Sequence, residues 1–154
     1  MCIRDRCNDA IHAVETLSGV FAGLPFTEDG LRPFVDAPRT QYLIGQVETR
    51  CGHAPQAAER WRRVAAATGI AELVWAWRAA QKLDGYNNQE WTKRLEAALD
   101  QADSGPPYTA GMLEAALGKQ AAARAHFQQT LLVPDRMMAH HLSRMAMAGA
   151  SLPE

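Results

Sequence analysis

Apolar residues along the chain recur with the period of a helix rather than that of a strand. Two apolar stripes lie on either side of Gly52, and their spacing of three and four residues places side chains on one helical face. The stripe before Gly52 consists of Leu43, Ile44, Val47 and Cys51, and the stripe after it consists of Ala57, Ala58, Trp61, Val64 and Ala65. The pattern predicts two helices joined by a turn at Gly52, and an all-α fold.

The same arrangement recurs at equal intervals along the chain. Gly52, Gly85 and Gly118 are equally spaced, and each follows an apolar stripe of this kind. We call the spacing from Gly52 to Gly85 one repeat interval. A glycine just past a helix supplies the left-handed backbone conformation that ends it. The predicted pairs of helices occupy residues 38–69, 70–104 and 105–134, with turns at Gly52, from Gly85 to Asn88, and at Gly118.

Both flanks of these repeats have their own helical pattern. Within residues 7–37, a helix is predicted from Asp9 to about Ala22, followed by an ordered loop from Gly23 to Ala37. Residues 135–154 are predicted to form a last amphipathic helix, with Asp135 as its N-cap, and the C-terminus. The predicted buried face of this helix comprises Met138, His141, Leu142, Met145 and Ala148, and its solvent face comprises Arg136, His140, Ser143 and Arg144.

The first six residues, Met1 to Arg6, have no apolar period, no helix cap and no turn signal. They resemble the in-frame translation of a transposase adapter used in library sequencing, and an artefact of this kind is excluded from fold reasoning. We therefore expect residues 1–6 to be an artefact and native sequence to begin near Cys7. Further protein is then expected upstream, as in a fragment of a gene from a bacterial metagenome.

Two helices repeated at this interval resemble the tetratricopeptide repeat, whose unit is roughly 34 residues long. The matching residues are Gly45 and Gly111 at the family's first small position, Ala57 and Ala123 at its second small position, and Trp61 and Phe127 at its large aromatic position. The resemblance implies antiparallel helical hairpins stacked as a short right-handed solenoid with a C-terminal capping helix. It also implies a protein–protein interaction module that binds a peptide or a partner protein on a concave helical surface.

The second repeat departs from the family pattern. Arg78, Glu90 and Arg94 occupy the positions of the two small residues and the aromatic residue. The apolar Trp91 and Leu95 each lie one residue later, as if one residue were inserted in the preceding turn. We expect this hairpin to shift its register or to splay.

One column of residues indicates where a partner would bind. Tyr42, Trp75, Tyr108 and His141 follow one another at one repeat interval on the leading helices. In the family that the chain resembles, this position faces the concave groove, and aromatic side chains are effective anchors there. The predicted partner-binding residues are Tyr42, Gln46, Thr49, Trp75, Lys82, Tyr108, Met112 and His141. The alternative is that the rings seal one hairpin against the next, and the sequence leaves both interpretations open.

Charge and hydropathy exclude some partners. The chain has 16 basic and 17 acidic residues and a net charge of −1, without the basic surface that nucleic acid requires. No apolar run approaches the roughly 18 residues of a membrane span. We expect a protein or peptide partner and neither nucleic acid nor a membrane, while association with further copies of the chain stays open. Nothing in the sequence indicates the compartment.

The candidate chemical groups do not form a recognisable site. Cys7 and Cys51 lie in unrelated segments, so free thiols are expected rather than a disulfide or a zinc site. Adjacent His140 and His141 point about 100° apart on a helix and cannot share a metal ion. His126 has no second ligand one helical turn away. We predict no catalytic residue, no metal site and no cofactor.

Two further sets of charged residues are expected to be structural. Glu48 and Glu114 occupy matching places in two repeats, where packing or solvation is expected rather than a pair of catalytic carboxylates. Arg60, Arg62 and Arg63 are predicted to form an exposed arginine face around a buried Trp61. An alternative function is a structural or dimerisation tail of a larger enzyme or sensor. A further alternative is a small helical enzyme that uses the histidines.

Overall fold

The structure, a computed structural model, describes residues 3–20, 35–102, 105–132 and 137–149. These residues form helices and no strand, which confirms the predicted all-α class. The helices are α1 (Ile3–Val20), α2 (Pro38–Arg50), α3 (Ala54–Ala65), α4 (Leu73–Ala80), α5 (Asn88–Ala102), α6 (Pro107–Ala116), α7 (Gln120–Leu132) and α8 (Met137–Met147).

The chain divides into two compact units. The first unit, Met1–Tyr86, contains α1 to α4, and the second unit, Asn87–Glu154, contains α5 to α8. The boundary lies inside the turn predicted from Gly85 to Asn88, so the two helices of the predicted second repeat, residues 70–104, belong to different units.

The first unit is built around a helical hairpin, α2 and α3, which we call the first hairpin. The turn between them is closed by Gly52 at φ +85° and by the N–H of His53, which donates to the carbonyl oxygen of Glu48 at 2.8 Å. Pro55 lies in the first turn of α3, where a missing N–H costs no hydrogen bond. Helix α4 packs against both helices of this hairpin, and α1 packs against α2.

The second unit contains a hairpin of the same form, α6 and α7, which we call the second hairpin. Its turn has Gly118 at φ +76°, and the N–H of Lys119 donates to the carbonyl oxygen of Glu114 at 2.8 Å. This hydrogen bond corresponds to the one between His53 and Glu48 in the first turn, two repeat intervals earlier in the chain. Helix α5 packs on α6 and α8 packs on α7, and Gly149 at φ +71° follows the end of α8 as predicted.

The start of α5 confirms which apolar residues pack in the irregular repeat. The side chain of Asn87 caps the helix, because its Oδ1 accepts hydrogen bonds from the N–H groups of Gln89 and Glu90 at 3.1 and 3.3 Å. Trp91 and Leu95 are buried, whereas Glu90 is exposed. The packed positions therefore lie one residue later than in the other two hairpins.

Some boundaries and faces differ from the predictions. Helix α1 begins at Ile3 rather than Asp9, inside the segment expected to be an artefact, and α4 begins at Leu73 after a turn rather than at Ile70. The expected loop from Gly23 to Ala37 lies mostly outside the described residues, as does the N-cap at Asp135.

The predicted face of α8 is wrong by about one residue. His141, expected to be buried, is exposed, whereas Ser143, expected in solvent, is 0% exposed. A serine side chain is small enough to let α8 approach α7 closely, and an imidazole is more easily left in water. Leu142 lies on the buried face as predicted.

The expectation of free thiols at Cys7 and Cys51 is also wrong. Their sulfur atoms are joined in a disulfide with a Cα–Cα distance of 5.3 Å. The bridge links α1 to the residue that follows α2. At a sequence separation of 44 residues, the two cysteines carry no local signal that would pair them.

Candidate functional site

Each hairpin closes on a glycine that faces a large ring. A Cβ atom added at Gly45 would lie 2.5 Å from Nε1 of Trp61, and one added at Gly111 would lie 2.8 Å from Cε1 of Phe127. Both rings are buried, which confirms the prediction that they pack in equivalent places. Because real Cβ contacts are longer than 3.0 Å, only glycine permits this approach of the two helices.

A tyrosine contacts the same ring in each hairpin. The ring centroids of Tyr42 and Trp61 are 6.4 Å apart, and those of Tyr108 and Phe127 are 6.1 Å apart. Both pairs are tilted, at distances where aromatic pairs attract each other. The two tyrosines of the predicted column therefore lie against the corresponding ring of their hairpins, but Tyr42 is buried and Tyr108 is only half-buried.

A carboxylate is buried in the first hairpin and paired with an arginine. The guanidinium of Arg60 donates through Nη2 to Oε1 of Glu48 at 2.6 Å and through Nε to Oε2 at 3.0 Å. A third bond from Arg60 reaches Oε1 of Gln41, whose amide in turn donates to the carbonyl oxygen of Val35 at 2.7 Å. The two-point bond to Glu48 uses the fork geometry that arginine offers to a carboxylate.

The second hairpin has the equivalent pair with a different basic residue. Nδ1 of His126 lies 2.7 Å from Oε2 of Glu114, a buried carboxylate two repeat intervals after Glu48. His126 likewise lies two repeat intervals after Arg60. Both glutamates are thus buried and paired inside their hairpins, which fits packing rather than solvation, the two roles that the sequence suggested.

The comparison of the pairs bears on a catalytic role for His126. A guanidinium remains charged under all conditions in which proteins fold and cannot act as a general acid or base. Because Arg60 occupies the place of His126 in the first hairpin, the geometry favours a structural role for the His126–Glu114 pair. Within the described ranges, no group of three or more His, Cys, Asp or Glu side chains is arranged to hold a metal ion.

The structure separates the predicted partner-binding residues into buried and accessible ones. Tyr42 is 3% exposed, Trp75 is 6% exposed, and Met112 is also buried. Of the two interpretations that the sequence leaves open, the burial of Tyr42 and Trp75 favours packing over an open groove position for these two rings. Gln46 and Tyr108 are half-buried, and the exposed members of the set are Thr49, Lys82 and His141.

Trp75 is covered from several sides. Its ring centroid lies 5.8 Å from that of Tyr42, and the guanidinium carbons of Arg39 and Arg78 lie 5.9 and 5.3 Å from its centre. A cation over an indole face is attracted by the ring quadrupole. The arginines and the tyrosine together enclose the side chain that the sequence suggested as an anchor.

The partners of the two buried glutamates are the residues that sequence reasoning missed. Arg60 is half-buried and bonded, and only Arg62 and Arg63 of the expected arginine face are exposed. A signal was present, because each glutamate is followed 12 residues later by a basic side chain in both hairpins. Opposite charges that recur in the same phase of a repeat indicate a contact within the repeated unit.

Open clefts are present among the described residues of both units. An open cleft of about 350 Å³ lies between α7 and α8, beside Phe127 and Met147. Arg124 crosses it and donates to the carbonyl oxygen of Met147 at 3.3 Å. Helices long and apolar enough to cross a lipid bilayer are absent from the described ranges.

Comparison of the chain with protein-family models, curated proteins and solved structures found no match.

Proposed function

We propose that this chain is a helical-repeat interaction module of the tetratricopeptide type, which binds a segment of a partner protein. The observation that carries the proposal is the recurrence of one set of contacts at positions two repeat intervals apart. Four contacts recur in both hairpins: a glycine packs against an aromatic ring, a tyrosine lies beside the same ring, a glutamate pairs with a basic side chain, and the same N–H bond closes the turn. Repeats of this kind place surfaces in regular order, which suits recognition rather than catalysis.

The proposed architecture is a short right-handed solenoid whose hairpins continue one another in phase, with α8 as a capping helix. The positive φ angles of Gly52, Gly85 and Gly118, at equal spacing, support it. So does the burial of Ala57 and Ala123, the second small residues of the two regular repeats.

We assign partner contact to the accessible members of the predicted column and structural support to its buried members. In the first unit the contact residues are Gln46, Thr49 and Lys82, and in the second unit they are Tyr108 and His141. These side chains offer hydrogen bonds, one positive charge and one half-buried ring, a chemistry suited to a polar peptide. Tyr42, Trp75 and Met112 hold the helices that carry them.

Peptide selection followed by a binding measurement tests this assignment. Random peptides displayed on phage are selected on the chain, and the best sequence is measured by fluorescence anisotropy. Lys82→Glu should raise the dissociation constant at least about tenfold, because it removes a charge from the proposed contact face. Tyr108→Ala should have an effect of the same size, because a ring anchor contributes strongly.

Lys93→Glu is the matched control, since Lys93 is an exposed lysine of α5 outside the proposed face. It should change the dissociation constant by less than about twofold, as expected for a surface charge away from a contact. Equal effects of the two lysine variants would reject the assignment of the face. Failure to enrich any peptide over the heat-denatured chain would reject the proposed function.

The burial of Tyr42 and Trp75 favours a second candidate, in which the chain is a structural or dimerisation segment of a larger enzyme or sensor. With these rings enclosed, the predicted column presents no accessible ring in the first unit. Sedimentation equilibrium distinguishes the candidates, because a dimerisation segment should associate at micromolar concentration without any added peptide.

A further inference from the structure

Helix α1 is covalently attached to the first hairpin. Cys7 lies near the start of α1, Cys51 follows the last residue of α2, and their Cα atoms are 5.3 Å apart. This Cα–Cα distance lies within the usual range for a disulfide. Both cysteines are half-buried rather than enclosed, so a small thiol reagent can reach the bridge.

The contacts of α1 with the first hairpin are shallow at its described side chains. Helix α2 is the element against which α1 packs in the first unit. No described side chain of α1 is fully buried, and the half-buried ones are Cys7, Ala10, Ile11 and Val14. Helix α2, by contrast, buries Tyr42, Ile44, Gly45 and Glu48. Hydrophobic stabilisation grows with buried area, so the described side chains of α1 contribute little against the entropy lost when a long segment is ordered.

We propose that the Cys7–Cys51 disulfide holds α1 on the first hairpin, and that reduction of this bond releases α1 while the hairpin stays folded. Leu43 and Val47 lie on the stripe of α2 that ends at Cys51, and both are half-buried. The covalent bond keeps the two helices at a high effective concentration, which substitutes for the missing buried area. This inference does not depend on the proposed binding function.

The redox step is an ordinary thiol–disulfide exchange. A thiolate of a dithiol reductant attacks one sulfur of the bridge, the S–S bond breaks, and a mixed disulfide forms. The second thiolate of the reductant resolves this intermediate. Cys7 and Cys51 gain two electrons and two protons as free thiols, and the reductant leaves as a disulfide. Oxidised glutathione carries out the reverse reaction and is itself reduced.

Hydrogen exchange of the full chain, followed by mass spectrometry, tests the proposal. All samples carry Cys2→Ser, so that Cys2 cannot form an alternative bridge, and this parent protein retains Cys7 and Cys51. After equilibration with oxidised glutathione, backbone amides of α1 should exchange at least about tenfold more slowly than after reduction with dithiothreitol. Amides of α3, α6 and α7 should exchange at the same rate in both states.

Two further variants in this background separate loss of the bond from loss of the fold. Cys7→Ser and Cys51→Ser should both give fast exchange in α1 with or without reductant, while α3 stays protected. The proposal is overturned if alkylation finds two free thiols after oxidation, or if α1 exchanges at one rate in all samples. It is equally overturned if α3 loses protection together with α1, because the bridge would then stabilise the whole first unit.

Discussion

The first hairpin closes on an indole ring and the second on a phenyl ring, at positions two repeat intervals apart. The indole of Trp61 donates to the carbonyl oxygen of Tyr42 at 3.2 Å, a bond that Phe127 cannot make. The first hairpin pairs its buried glutamate with arginine and the second with histidine. The turn bonds from His53 to Glu48 and from Lys119 to Glu114, and the glycines that face the rings, nevertheless recur in both.

The difference shows which features of the repeat are required by its geometry. A small residue must face a large ring, because the helices approach too closely for two ordinary side chains. A carboxylate buried at the hairpin must face a basic side chain, because burial of a carboxylate without a hydrogen-bonding partner is costly. The identity of the ring and of the base is free to vary.

The largest expected effect is the loss of either ring. Trp61→Ala and Phe127→Ala should each lower the free energy of unfolding by about 3–5 kcal/mol, because each leaves a cavity where a buried ring packed. Urea denaturation measures the loss. Leu132→Ala, at a side chain that is 83% exposed, is the control and should change stability by less than about 0.5 kcal/mol. A loss below about 1 kcal/mol for either ring would show that the hairpins are not equivalent.

Removal of the base from a buried glutamate should have the next largest effect. Arg60→Ala leaves Glu48 buried without its cation and should cost about 2–3 kcal/mol in chemical denaturation. Arg62→Ala is the control, because the Arg62–Glu59 pair lies at the surface with both side chains 62% exposed. It should cost less than about 0.5 kcal/mol. Similar losses for the two variants would contradict a special role of the buried pair.

Filling the space at the facing glycines should destabilise both hairpins. Gly45→Ala and Gly111→Ala place a methyl group against a ring that has no room for it and should each cost about 1–3 kcal/mol. Gly69→Ala adds its methyl group beside the flexible side chain of Glu72, and stability should stay within about 0.5 kcal/mol. Thermal melts of the three variants compare them directly. If all three variants have the same melting temperature, Gly45 and Gly111 are not required for the close approach of the helices.

Exchange of the two bases tests equivalence more finely. His126→Arg should change the free energy of unfolding by less than about 1 kcal/mol, because the first hairpin holds a guanidinium at the corresponding position. Arg60→His should cost more, about 1–2 kcal/mol, since it loses the second bond to Glu48 and the bond to Gln41. The opposite order in urea denaturation would mean that the second hairpin is shaped for an imidazole.

The smallest effect is expected from the first residues of the chain. They belong to α1, which packs against the first hairpin. Deletion of residues 1–6 removes the first turn of α1 and leaves Cys7 in place. Arg6 is exposed, and the melting temperature of the first unit should stay unchanged within error in calorimetry. A clear drop would show that the hexapeptide belongs to the folded protein and would contradict its assignment as an artefact.

Much of the fold was readable from local sequence. The period of apolar residues predicted the helix pairs, and both α6 and α7 lie within the pair predicted for residues 105–134. Glycines placed after the stripes predicted the turns, because L side chains rarely adopt the positive φ found at Gly52 and Gly118. The displacement of Trp91 and Leu95 by one residue was also visible, since a shift of one position moves a side chain by about 100° around a helix.

The sequence by itself determined the helices, the turns and the small-against-large contacts, because these depend on residues close in the chain or in phase along it. Only the tertiary structure decided that Trp75 is enclosed, that Arg60 holds Glu48 and that Cys7 meets Cys51. A stripe of apolar residues shows which face of a helix becomes buried on folding. How much of the flanking side chains is covered, and which distant groups meet, depends on how neighbouring helices pack, and no local pattern encodes it.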